Sequence, residues 1–230
     1  MARSVSPFLC LLLLVGQGSL LAELPVVRLL TVFPPGGKIG SQVEVALSGA
    51  DLDEASQLHF SHTGITAKQK VGETNGLPEA NKFLVNIAAG VPPGIYEARV
   101  VGRFGISNPR AFVVSDLPET IAPTTNHSSA TAAAIALDSI INGHAEANAV
   151  DFYKFTARKG QRILIECQAG EIDSRMEAAM ILYDTAGKEL QRDRSGGSLD
   201  FVAAADGEFR IKVYGCERPR VTSPFRWFAA

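Results

Sequence analysis

The side chains that could do chemistry are few and scattered. Four histidines occur, His59, His62, His127 and His144. His59 and His62 are three apart, and on a strand odd spacing puts them on opposite faces, which works against joint metal ligation. A thiol nucleophile would need Cys167 or Cys216 beside His127 or His144, and no spacing sets that up. Gly196-Gly197-Ser198-Leu199-Asp200 comes nearest to a nucleophile elbow but ends in Asp. Gly36-Gly37-Lys38 lacks the spacing of a phosphate loop and reads as a turn. No His-Glu-x-x-His and no Cys-x-x-Cys occurs. The expectation is a protein that is not an enzyme.

Carboxylates are the richer set. Asp173, Asp184, Asp193, Asp200 and Asp206 fall in or near turns, with Glu171 close by. Calcium needs several oxygen ligands at one place, which loops at the end of a sandwich can provide. Glu171, Asp173 and Asp193 form the best candidate set for Ca²⁺. Against this, no Asp-x-Asp-x-Asp-Gly run occurs, and Asp favours turns anyway because it bonds nearby amides. Asp51-Leu52-Asp53 reads as such a turn. No other cofactor is indicated. Asn126-His127-Ser128 matches the glycosylation triplet, a pattern that recurs by chance. Asp151 reads as structural, a carboxylate that sets the start of a strand. Phe152, Tyr153 and Phe155 read as packing residues. A sugar platform needs an exposed row of aromatics, and aromatics are only 7% of the chain, mostly within apolar alternation. That argues against a sugar-binding face, with Tyr96, Tyr153, Tyr183 and Tyr214 left open.

These residues must be held by short strands. Residues 42–48 alternate, with Val43, Val45 and Leu47 on one face. Phe83, Val85 and Ile87 repeat the pattern, and residues 26–32, 95–101 and 111–114 complete a first set. Residues 150–156, 163–168, 180–183, 199–203 and 209–214 form a second. Pro92-Pro93-Gly94, Lys159-Gly160, residues 184–188 and Ala205-Asp206-Gly207 are turns. Residues 130–137 are read as a strand, although their alanines favour helix. Residues 115–126, with two prolines, mark a linker. Turn signals every 8–12 residues or so predict β-sandwiches. The fold expected is all-β, two tandem β-sandwiches. The division is residues 23–115, a linker at 116–126, and residues 127–230.

The 230 residues are 46% hydrophobic and 20% charged, a globular composition. A net charge of −2 excludes nucleic-acid binding through bulk positive charge. Arg3 followed by the apolar run at residues 8–15 predicts a signal peptide, cut after Ala22 or after Gly18. The run is too short to span a bilayer. The mature chain would be exported, to the periplasm, the cell surface or the medium, with no membrane segment. Its two cysteines, Cys167 and Cys216, either pair or remain thiols.

Two stretches resemble known families. Residues 33–60 (FPPGGKIGSQVEVALSGADLDEASQLHF) and 92–114 resemble an immunoglobulin-like module of secreted bacterial proteins. Residues 148–170 (NAVDFYKFTARKGQRILIECQAG), 178–193 and 199–214 resemble the bacterial pre-peptidase C-terminal domain. In combination they look like proteins of planctomycete-type bacteria. The second resemblance implies a jelly-roll-like sandwich that is an accessory to a secreted peptidase or another extracellular protein, with no catalysis of its own. It implies an extracellular protein or polymer partner and no nucleic acid. Some members of that family bind calcium and some bind collagen, neither of which carries over without matching residues. The chain departs from the pattern after Tyr214, where GCERPRVTSPFRWFAA replaces the usual acidic strand pair. Pro219 and Pro224 would interrupt a central strand. The atypical tail from residue 215 is either an altered or truncated ending or a divergent last strand at residues 225–228. The readings left open are an accessory binding or spacer module, the N-terminal fragment of a larger secreted peptidase or hydrolase, and a calcium-stabilised adhesion module.

Overall fold

The computed structural model describes residues 24–145, 150–174, 176–215 and 223–229. The expected leader and Cys216 lie outside the described residues. Within them the regular structure is strand throughout, apart from two 3₁₀ turns at Ser129–Thr131 and Gly170–Ile172. Alternation drives this. In the strand at Ser198–Val202 every second side chain is buried, and Val150–Ala157 does the same.

The first sandwich contains β1 (Arg28–Phe33), β2 (Gly36–Lys38), β3 (Gln42–Ala50), β4 (Gln57–Phe60), β5 (Ile65–Val71), β6 (Pro78–Ile87), β7 (Gly94–Gly102), β8 (Gly105–Ile106) and β9 (Arg110–Ser115). One sheet runs β1-β3-β6-β5 and the other β2-β9-β7-β4, with β8 on β7. Leu29, Val45 and Phe83 from the first sheet meet Val100, Phe112 and Val114 from the second in one core.

The second sandwich contains β10 (Glu119–Ile121), β11 (Ala133–Ala134), β12 (Ser139–Ala145), β13 (Val150–Ala157), β14 (Arg162–Gln168), β15 (Ala178–Tyr183), β16 (Glu189–Asp193), β17 (Ser198–Val202), β18 (Gly207–Gly215) and β19 (Ser223–Ala229). Its sheets run β10-β12-β19-β14-β17 and β11-β13-β18-β15-β16. Ile163, Ile165, Phe201 and Trp227 of the former pack on Tyr153, Met180, Leu182 and Phe209 of the latter. Phe155, Phe201 and Phe209 form an aromatic cluster across the two sheets, with ring centroids 5.5–6.2 Å apart.

Several elements differ from the sequence expectation, among them Gly36–Lys38, expected as a turn, which forms β2, paired in parallel with β9. Residues 130–137 are not one strand. Ser128 caps the first 3₁₀ turn, its hydroxyl accepting from the Thr131 amide at 3.2 Å, and only Ala133–Ala134 pairs with β13. The segment read as a linker carries β10, which pairs in parallel with β12. The tail strand β19 sits in the middle of its sheet, between β12 and β14. Pro224 is tolerated there because pairing with β14 spans only residues 226–229, so the proline lies beyond that ladder.

The tail strand's contribution to stability is testable. Trp227 is fully buried, its ring edge-on to Tyr153 at 4.8 Å. Trp227→Ala should cost on the order of 3–5 kcal/mol, read as a lower urea midpoint. Leu190→Ala, at an exposed position on β16, should change stability by less than about 0.5 kcal/mol. An unchanged midpoint for the tryptophan variant would remove β19 from the core.

Candidate functional site

Along β19 the alternation puts Trp227 into the core and Arg226 on the opposite face. Arg226 stands level with Asn142 on β12 and Gln168 on β14. It is only 1% exposed because the first sandwich covers it. Its Nη1 donates to the carbonyl oxygen of Val113 on β9 at 3.2 Å, and its Nη2 donates to Glu119 Oε1 at 2.7 Å. Glu119 is itself held from both domains. Ser115 Oγ donates to Oε1 at 2.9 Å, and Asn142 Nδ2 donates to Oε2 at 2.9 Å. Burial lowers the pKa of the Arg226 guanidinium, and the Glu119 carboxylate opposes that shift. Arginine stays protonated throughout, so a charge pair is held away from water where the sandwiches meet.

The backbone has been shaped around this arginine. A Cβ on Gly36 would stand 2.0 Å from Arg226 Nη1 and 2.2 Å from the Val113 oxygen. Only glycine lets β2 pass at that distance. Two further contacts join the domains. Asp173 Oδ2 accepts from the Ala111 amide at 2.9 Å and lies 3.8 Å from Arg110 Nη1. The Phe33 ring packs on His144 with centroids 3.7 Å apart. Beside this joint opens a cleft of about 400 Å³, lined by Gly37, Lys38 and Val43 of the first domain and Glu119, Ile121 and Asn142 of the second.

The candidate calcium ligands do not converge on one point. Among the described residues, no group of three or more His, Cys, Asp or Glu side chains could hold a metal ion. Glu171 lies exposed in the 3₁₀ turn at Gly170–Ile172. Asp173 is committed to the first domain, as above. Asp193 folds its own turn, accepting from the Gly197 amide at 2.7 Å, the Ser195 amide at 3.3 Å and the Ser195 hydroxyl at 2.8 Å. Partial burial pushes the Asp193 pKa upward, but these bonds outweigh it and hold it below the usual carboxylate value.

The other reactive side chains have structural roles. Cys167 is a buried free thiol, and burial pushes its pKa up to about 12, far from a nucleophile's range. His59 bonds Gln57 and His62 caps the Gly64 amide. His127 Nδ1 lies 3.2 Å from Asp151, which is buried at the start of β13. Asn126 of the glycosylation triplet is fully buried, and its side-chain amide donates to the Phe152 carbonyl at 3.2 Å. The joint residues escaped the sequence reading. Two signals were present: a lone arginine inside the apolar run Phe225-Arg226-Trp227-Phe228, and a glutamate in a segment otherwise read as spacer.

No family model and no curated protein matches the chain. Solved structures are similar at low levels. The pre-peptidase C-terminal domain of a Bacillus anthracis collagenase is 15% identical, with a TM-score of 0.36, over 43% of this chain and 94% of that one. PliG of Aeromonas hydrophila, a periplasmic inhibitor of g-type lysozyme, is 13% identical, with a TM-score of 0.37, over 49% and 97%. SGBP-B of a Bacteroides ovatus mixed-linkage glucan utilisation locus is 11% identical, with a TM-score of 0.30, over 79% and 73%.

Breaking the buried pair from one side strands a charge. Arg226→Ala should therefore cost about 3–5 kcal/mol. The double variant Arg226→Met with Glu119→Leu should recover most of that loss, because an apolar pair leaves no charge to solvate. Urea unfolding of both variants checks this. A double variant no more stable than Arg226→Ala would show that shape, and not charge pairing, governs the joint.

Proposed function

We propose that this chain is an exported, non-catalytic binding and spacer module that acts beside an extracellular peptidase or another surface protein. The observation that carries this reading is the buried Arg226–Glu119 joint. A spacer must hold two bodies at a fixed angle. A pair closed off from water, tied to backbone on one side and to Asn142 on the other, resists rotation in a way that an exposed pair does not. The absence of a catalytic role is supported by the chemistry of the described residues: a high-pKa thiol, His62 bonded within a turn, His59 bonded to Gln57, and Asp193 bonded to backbone. Export is supported by the apolar run at residues 8–15. Among the described residues no helix is long and apolar enough to cross a membrane.

Calcium stays outside this reading, since Asp173 and Asp193 are already committed to other groups. Calorimetry tests both parts. The chain should unfold in one transition, and Arg226→Ala should resolve it into two, one per sandwich. Two transitions in the unmodified chain would overturn the rigid spacer. Exchange of chelator for excess Ca²⁺ should leave the melting temperature unchanged, and a rise would restore a metal-stabilised module by linkage.

A further inference from the structure

The outward face of the sheet β11-β13-β18-β15-β16 is built unlike the rest of the surface. Tyr153 and Phe155 point into the core, so their neighbours Phe152 and Lys154 point outward. The ladders place Phe152, Lys212, Ile181 and Arg192 in one row across four strands. The next row holds Lys154, Arg210 and Tyr183, and the row on the other side holds Val150, Tyr214 and Ala179. Phe152, Tyr183 and Tyr214 are half-buried on this face, and the Lys212 ammonium lies over the first and last of these rings. Phe152 thus packs across the strand against Lys212 on the outer face, with Tyr214 and Tyr183 in the rows on either side.

Lys212 is the centre of this face. Its Nζ lies 5.1 Å from the Tyr214 ring centroid and 6.0 Å from that of Phe152. Among the described residues it has no carboxylate partner. Arg210 and Lys154 share Glu208, at 2.7 and 3.1 Å, and Arg192 pairs with Glu189 at 2.6 Å. The face therefore carries four cations against two carboxylates, on a chain whose net charge is −2. Ile181, on this outward face, is only 4% exposed, because the stems of Lys212 and Arg192 flank it on both sides. The result is a platform about 14 Å wide across four strands at the usual ~4.8 Å spacing.

We infer that this platform binds a carboxylate-bearing polysaccharide, with Tyr214, Phe152 and Tyr183 stacking on sugar rings and Lys212 meeting a uronate. Charge complementarity selects the anionic polymer. The inference rests on the binding-module reading above and gives that module its ligand class.

Affinity electrophoresis of the whole chain in native gels containing polygalacturonate tests it. The chain should be retarded, and the retardation should fall as salt is raised. Lys212→Ala and Tyr214→Ala should each weaken retardation by about tenfold, while Lys212→Arg keeps it. Lys68→Ala, on the exposed edge strand β5 of the other domain, is the charge control and should bind as the unmodified chain does. A thermal melt confirms that the variants fold. Equal retardation by a neutral glucan, stronger retardation by single-stranded DNA, or variants that bind normally would each overturn the assignment. Absence of retardation by polygalacturonate would overturn it too, and would leave the spacer reading standing on its calorimetry.

Discussion

A buried guanidinium tolerates very little around it. It needs an opposite charge, acceptors for its remaining N–H groups, and backbone that comes close without a side chain in the way. Here Glu119 supplies the charge, Val113 an acceptor and Gly36 the space. Each comes from a different stretch of chain. The angle between the two sandwiches is the angle at which Val113 and Gly36 of the first meet the Arg226–Glu119 pair of the second.

The same strand ties that orientation to folding of the second domain. Trp227, next to Arg226, points the other way, into the core among Ile141, Tyr153 and Cys167. Any shift of β19 by one residue would exchange the two side chains, placing a charge in the core and an indole at the joint. Register in the sheet and docking of the domains are thus one constraint. The platform on the far sheet inherits it, because β13 and β18 pack through Tyr153 and Ile211 onto the same core.

Much of this fold was legible in sequence because period-2 alternation reports burial directly. Val43, Val45, Phe83, Val85, Ile163 and Ile165 announce their strands without knowledge of what they pair with. What was not legible depends on pairing at a distance. β10 is three residues long and carries no alternation, so its strand character comes from β12 alone. The tail looked foreign because proline is judged by position in a sheet, and position is set by neighbours remote in sequence. The facing of aromatics has a related dependence. In Asp-Phe-Tyr-Lys-Phe, alternation shows that adjacent rings part ways, but which ring faces inward is settled by the opposite sheet. Asp193 ends β16, and its bonds to the amides of the turn that follows are what the bare preference of Asp for turns expresses.

The central place of β19 also fixes an order of events during synthesis. β12 and β14 cannot close on each other, since the strand that joins them is made some sixty residues after β14. The first sandwich has all of its strands by Ser115 and can settle early. The second must wait as two open half-sheets, with Ile141 on one side of the gap and Ile165 and Cys167 on the other. That interval leaves apolar surface uncovered in the slot between β12 and β14 until the last strand arrives.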